Sequence, residues 1–328
     1  MGFSPGPMDD LGLLKPICLL EKLFNHKLRL NESLANQFAG FSVIKDVIST
    51  AAGSAMVTVG ATRVLCGIKV KVIPTLELES PFVCSVERTN LSQRILRATN
   101  PVSREIQTLS VQLDWILRTC AIPDAKEQLQ IYFAATDANP DIKKMVCGMY
   151  ILHVDLLILH DDGCLLDACL AAALAALSCA EWPKLEGKAG VSVGLASQTI
   201  TSKMNFEEVA TPQSLVRLRI SDWPVALTFA LVPRPPFSDE AEVNGKRELP
   251  LISQPSRREL LLWDTDATIF HIVLDSEGAV VDFGMVGGLS SCLWAYLEEA
   301  GICHNRAVLP ELLSRATKEC DAIRKQLM

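Results

Sequence analysis

The sequence predicts an α+β fold built from two similar strand-and-helix modules packed together, and three observations predict it. The stretch His153–Leu177, HVDLLILHDDGCLLDACLAAALAAL, reads as an apolar strand, an acidic turn and a buried helix. A long apolar helix fed by a strand needs a sheet to lie on. Ile68-Lys69-Val70-Lys71-Val72 alternates strictly, with Ile68, Val70 and Val72 on one face and both lysines on the other. The second half then starts again with strands and ends in helices. The expected division is a disordered N-terminus at 1–14, a first module at 15–185, and a second module at 186–328 that carries the C-terminal helices.

Composition sets the bounds. The 328 residues are 49% hydrophobic and 21% charged, a globular mixture with ample material for a core. The net charge of −7 gives no general footprint for nucleic acid, although a local basic groove is compatible with it. There are 11 cysteines, with no C-x-x-C pair and no Cys/His set at zinc spacing. Cys66, Cys147, Cys169 and Cys179 sit in apolar runs as small hydrophobes, which points to a reducing compartment. The most apolar helix, about Leu165 to Ala180, is shorter than the ~20 residues a bilayer crossing needs. A soluble chain with no membrane partner is expected.

In chain order, Pro16 to His26 has helical spacing through Ile17, Leu20, Leu23 and Phe24. Val43 to Val72 reads as strands, with Gly53 and Gly60 as hairpin turns. Residues 87–98 read as a helix, and Pro101 stops it. A second helix, about Ser103 to Cys120, places Ile106, Leu109, Leu113, Ile116 and Leu117 inward. Leu129 to Ala134 is a short strand. Tyr150 to Leu159 is near-continuously apolar, hence a central strand. Its helix runs to about Ala180. Val191 to Ala196, Val216 to Ile220 and Val225 to Val232 follow as strands. Arg234 to Arg258, with four prolines, reads as a long surface loop. Leu260 to Trp263, Thr268 to Leu274 and Ala279 to Phe283 are expected strands, with Glu277-Gly278 turning the last hairpin. Helices at about Ser290 to Glu299 and Pro310 to Gln326 close the chain.

Several residues invite chemistry. His153 and Asp155 are two apart on a strand and share a face, but no nucleophile stands beside them. A polar pair at an edge is the favoured reading. Asp161, Asp162 and Asp167 cluster at the turn without the spacing of a calcium loop, and a carboxylate opposing the helix's positive end is a sufficient role. Gly284, Gly287 and Gly288 match neither phosphate-loop pattern and read as a structural turn. Arg88, Arg94 and Arg97 lie on or near the 87–98 helix, with Arg104, Arg63, Lys69 and Lys71 nearby. Guanidinium groups suit phosphate backbones, so the three arginines are the candidate nucleic-acid contacts, with a solvated helix face, tempered by Glu87, as the equal alternative.

Two segments together resemble the RNase PH family. Ile48 to Val72 carries a Gly-x-Thr-x-Val-x-Cys-Gly-x-Lys pattern on Gly60, Thr62, Val64, Cys66, Gly67 and Lys69, similar to the family's N-terminal hairpin. Val154-Asp155, Asp162-Gly163 and Leu166-Asp167-Ala168 resemble the strand–turn–helix of its exosome branch. A third, weaker likeness joins WPVALTFALV to LLLWDTDATIFHIVLDSEGAVVDFGMVGG. The resemblance spans about residues 15 to 290 and implies an RNase PH-like fold, of the ribosomal protein S5 domain 2-like type.

Phosphorolytic members are expected to grip phosphate with a Thr-Arg pair just after the turn glycine. Here Cys164 and Leu165 stand there, and neither clamps an anion bidentately. Asp264 and Asp266 match the strand that carries the metal-binding acids, but Ala267, Thr268, Ile269 and Phe270 stand next where more acids are expected. The resemblance therefore implies a non-catalytic ring subunit of the RNA exosome, with no catalytic residue, no metal and no cofactor. Its implied partners are other RNase PH-like subunits in a hetero-hexameric ring, the RNA cap subunits, and RNA. The implied role is support of 3′-to-5′ RNA processing and degradation, including rRNA maturation and mRNA turnover, in nucleus, nucleolus and cytoplasm. Two alternatives stand beside it: an active phosphorolytic exoribonuclease using Asp264 and Asp266, and a free-standing RNA-binding protein. Arg29 precedes Leu30-Asn31-Glu32-Ser33 where the family has an Asp-Gly-Arg-like segment, a departure from its pattern.

Overall fold

The computed structural model describes residues 23, 29, 37–73, 80–89, 104–132, 146–188, 205–208, 215–232, 242–243, 246–247, 251–263, 267–287 and 308–328. The first sheet has six strands: β1 (Phe41–Lys45), β2 (Gly53–Val59), β3 (Thr62–Ile73), β4 (Phe82–Arg88), β5 (Gln130–Tyr132) and β6 (Val146–His160). Their order is β1-β2-β3-β6-β4, with β5 also on β6. β6 is thus central, as its apolar run predicts: β3 pairs with it antiparallel and β4 parallel. The β2–β3 hairpin turns at Gly60, whose φ of 58° is open to glycine at little cost.

Helix α1 (Arg104–Ile116) continues through a π-turn at Leu117–Ala121, and the five predicted inward positions are all buried. A single helical turn, α2 (Ala125–Gln128), leads to β5. Helix α3 (Leu165–Ser178) is buried at every position from Leu165 to Leu177. It has no wet face because it lies between two layers, packing on β2 and β3 on one side and on a strand of the second sheet, Val225–Leu231, on the other.

The second sheet has the order β14-β11-β15-β16, from β11 (Val225–Leu231), β14 (Leu251–Ser253), β15 (Thr268–Leu274) and β16 (Val280–Val286). Short pairs complete the strands: β7 (Glu181–Pro183) with β10 (Leu215–Arg217), β8 (Leu185–Lys188) with β9 (Asn205–Glu208), and β12 (Glu242–Val243) with β13 (Lys246–Arg247). Helix α4 (Arg257–Trp263) comes after β14, and α5 (Val308–Leu327) packs on β1, β11 and β15.

Four expectations are corrected. The helix expected over 87–98 begins as strand, since Glu87 and Arg88 end β4; residues 90–103, with Arg94 and Arg97, lie outside the described set. Leu260–Trp263 is helix, not strand. Ser256 and Glu259 form a reciprocal cap: Ser256 Oγ accepts the Glu259 N–H at 3.2 Å, and Glu259 Oε2 accepts the Ser256 N–H at 2.9 Å. Part of the expected 234–258 surface loop is core, because Leu251–Ser253 pairs with β11 and is buried. Gly53 is no turn. It is paired with Ile68 inside β2, where α3 crosses so closely that a Cβ would stand 2.5 Å from the Ala176 carbonyl oxygen. The expected elements at 16–26, 191–196 and 290–299 fall outside the described residues, apart from helical Leu23.

Gly53→Ala should therefore destabilise the fold. The added Cβ also meets Ala180 Cα at 2.6 Å, and both obstacles are backbone atoms. Overpacking of this kind costs roughly 1–3 kcal/mol. Urea denaturation should show a loss of about 2 kcal/mol. Gly40→Ala, whose Cβ meets nothing within 4 Å, should stay within about 0.5 kcal/mol of the parent.

Candidate functional site

The turn between β6 and α3 is held from three directions. Thr62 Oγ1, at the start of β3, donates to the Gly163 carbonyl at 2.6 Å and lies 3.0 Å from the Asp162 N–H. The Asp162 carbonyl accepts the Arg257 N–H at 2.7 Å. Gly163, at φ 97°, runs so close to α4 that a Cβ would stand 2.7 Å from the Pro255 carbonyl oxygen. Cys164 is also left-handed, at φ 53°, and its thiol lies 3.5 Å from the same carbonyl. The helix starts with no side-chain cap.

Asp161 Oδ1 accepts the Gly163 N–H at 3.2 Å, just before the helix start. Its side chain is 2% exposed and lies between two guanidinium groups, Arg88 at 3.0 Å and Arg257. Arg88 also reaches Glu105 at 3.5 Å. A second buried pair stands beside it. Arg29 Nε meets Glu259 Oε1 at 3.0 Å and Nη2 meets Oε2 at 2.6 Å, the planar two-point contact. Arg29 also donates to the Ser253 and Gln254 carbonyls, each at 2.9 Å. Arg29 is thereby fastened to the end of the Leu251–Ser253 strand and to α4. In the sequence, Arg29 stands out only as the residue before the Leu30-Asn31-Glu32-Ser33 departure, and nothing there points to its carboxylate partner. The readable signal is Ser256-x-x-Glu259 before an apolar run, a capping box that fixes where Glu259 must be.

Burial pushes Asp162 up and pushes the Cys164 thiol well above its ordinary value, with the nearby Asp167 charge adding to it. Burial would also raise Glu259, but the Arg29 guanidinium overrides it and holds the carboxyl below its ordinary range. A cleft of about 380 Å³ opens at the turn, lined in part by Arg29, Gly60, Thr62, Asp162, Cys164 and Arg258. Around it Arg88 and Arg257 pair with Asp161, Arg88 reaches Glu105, and Arg29 pairs with Glu259. Leu165, 9% exposed, belongs to the core.

The other sequence candidates are scattered. Asp155 takes the Lys69 ammonium at 2.8 Å on the open face of the first sheet, with His153 beside Lys69 in register. His160 Nδ1 lies 2.8 Å from the Ala61 carbonyl oxygen. Asp167 is inside, bonded to Thr228. Asp264 and Asp266 lie outside the described residues. Among the described residues, no group of three His, Cys, Asp or Glu is placed to hold a metal ion, and no helix is long and apolar enough to cross a membrane.

Residues 38–183 match the family described as "3' exoribonuclease family, domain 1", RNase PH. Residues 38–183 form an RNase PH domain. The match takes in the first sheet, the turn and all of α3. The chain is 29% identical over 195 residues to "Exosome complex component Rrp42" of Sulfurisphaera tokodaii, covering 57% of this chain and 63% of that one. It is 28% identical over 173 residues to the protein of that name from Methanosarcina mazei, covering 51% and 58%. The chain thus spans about three fifths of the length of these relatives. The fold is RNase PH-like. It matches "archaeoglobus fulgidus exosome with RNA bound to the active site" at a TM-score of 0.53 and 22% identity, over 89% of this chain and 95% of that one. It matches "Archaeal exosome core" at 0.51 and 23%, over 97% and 100%.

The Arg29–Glu259 pair should behave as a buried clasp. Arg29→Met strands the Glu259 carboxylate and should cost about 3–5 kcal/mol by chemical denaturation. The double change Arg29→Met/Glu259→Leu removes both charges and should recover most of that loss. Because Glu259 is held below its unfolded value of 4.5, the clasp's contribution is fully present above that pH and is lost as pH falls through the lower folded value. The double variant should lack this acid-dependent loss.

Proposed function

We propose that this chain is a non-catalytic RNase PH-like subunit of an RNA exosome ring. Cys164 and Leu165 carry the reading. In a phosphorolytic relative the pair after the turn glycine grips phosphate; here one side chain is a half-buried thiol and the other a core aliphatic. The arginines around them already hold Asp161 and Glu259. The Rrp42-named relatives and the exosome-core fold matches support the assignment to a ring.

In this reading the chain docks with other RNase PH-like subunits in a hetero-hexameric ring, beneath RNA cap subunits. It supports 3′-to-5′ RNA processing, rRNA maturation and mRNA turnover in nucleus, nucleolus and cytoplasm. Arg94 and Arg97 are the proposed RNA contacts, with Arg88 serving through its ion pairs.

The test is reconstitution. Affinity capture of the full chain should bring down several RNase PH-like subunits in near-equal amounts. The isolated chain, given RNA and inorganic phosphate, should release no nucleoside diphosphate. Release that disappears in Asp264→Ala protein would establish the phosphorolytic alternative. A lone monomer that binds RNA in a salt-dependent way would establish the free-standing one.

A further inference from the structure

Asp167 lies in the first turn of α3, 4% exposed, and its two carboxylate oxygens meet different partners. Oδ2 accepts the Thr228 backbone N–H at 3.0 Å and the Gln254 side-chain amide at 3.5 Å. Oδ1 lies 2.7 Å from the Thr228 hydroxyl. That hydroxyl is also 3.1 Å from Nδ1 of His271, its cross-strand neighbour in the β11–β15 register. A hydroxyl has one proton to give, so it donates to one of these neighbours and accepts from the other.

We propose that Thr228 is a relay that ties the protonation of Asp167 to the tautomer of His271. With Asp167 ionised, the hydroxyl donates to Oδ1 and accepts from Nδ1–H of a neutral His271. With a proton on Oδ1, the carboxyl donates to Oγ1 and the hydroxyl turns to donate to Nδ1. Nδ1 is then bare, and the imidazole carries its proton on Nε2. Asp167 takes its proton from solvent. The half-buried imidazole returns its Nδ1 proton to solvent and takes one at Nε2, so the net change is one proton gained by the protein.

No hydrogen bond is lost in either state, because Oδ2 keeps Thr228 N–H and Gln254 throughout. An unmet buried donor or acceptor is costly, so this equality keeps the two states close in energy. The surroundings leave the exchange to these groups. Around Asp167, α3 brings the thiols Cys164 and Cys169, the α4 side brings Glu259 already paired with Arg29, the turn brings Asp161 already paired with Arg88 and Arg257, and α5 brings Cys320. Facing His271 are Asp282 of β16 and Glu105 of α1.

Burial pushes Asp167 up to about 7, against the pull of its hydrogen bonds to Thr228 and Gln254. Burial pushes His271 down, against the fields of Asp282 and Glu105, so the ring stays neutral while the carboxyl changes charge. The sign is fixed by linkage: below about 7 the folded chain holds a proton that the unfolded chain releases down to 3.8, so acidification through that window favours the folded state at this site.

The experiment is a titration of the full chain, labelled with nitrogen-15 histidine and carbon-13 aspartate, across roughly pH 5.5 to 8.5. His271→Gln protein assigns its ring signals. The protonated and bare ring nitrogens of His271 should exchange roles at the same midpoint as the Asp167 carboxyl signal. Thr228→Ser should keep that common midpoint, and Thr228→Val should abolish the exchange at His271. A single His271 tautomer while Asp167 titrates would overturn the proposal. So would an Asp167 that stays ionised across the range, or a Thr228→Val protein that exchanges as the parent does. Should Thr228→Val not fold, the parent titration decides alone.

Discussion

A helix with no face in water governs this structure. α3 lies between two sheets, and every position from Leu165 to Leu177 is buried. Its composition is a direct consequence: Ala, Leu and Cys fill a slot too narrow for larger side chains and too dry for polar ones. So is Gly53, which lets β2 come within contact of the helix backbone. The helix start is the difficult end, since four backbone N–H groups emerge where water is scarce. The fold answers with a turn clamped by Thr62, Arg257 and Pro255, and with Asp167, a carboxylate one turn in, bonded to the neighbouring sheet.

That clamping explains the charges. Asp161 inside the protein requires a cation, and it has Arg88 and Arg257. Glu259, already committed to capping α4, is placed where Arg29 must meet it. A buried pair of this kind gives little net stability over an apolar one, yet it is costly to break and strongly directional. Its effect is to fix where Arg29 and α4 meet. These contacts engage the guanidinium groups of Arg29, Arg88 and Arg257 within the protein.

The parts of the fold readable in the sequence are those governed by a period. Alternation gave β3, near-continuous hydrophobicity gave β6 and β11, and helical spacing gave α1. What could not be read from periods depended on partners distant in sequence. Leu260–Trp263 is equally apolar as helix or strand, and only the capping box at Ser256 and Glu259 distinguishes them. Leu251–Ser253 sits in a polar, proline-containing stretch, and its burial comes from pairing with β11. At the site, Cys164 and Leu165 were legible because they occupy a known place after a glycine. Arg29 was not, because its carboxylate lies 230 positions away.

Cys164 and Leu165 are both shaped by the packing around the turn. Leu165 lies in the core at 9% exposure, so an arginine there would need a buried anion to pair with. Cys164 holds a left-handed backbone with its thiol against the Pro255 carbonyl, in surroundings that keep the thiol protonated. Contacts of this kind join the turn, α4 and Arg29: the Asp162 carbonyl accepts the Arg257 N–H, and Arg29 meets Glu259.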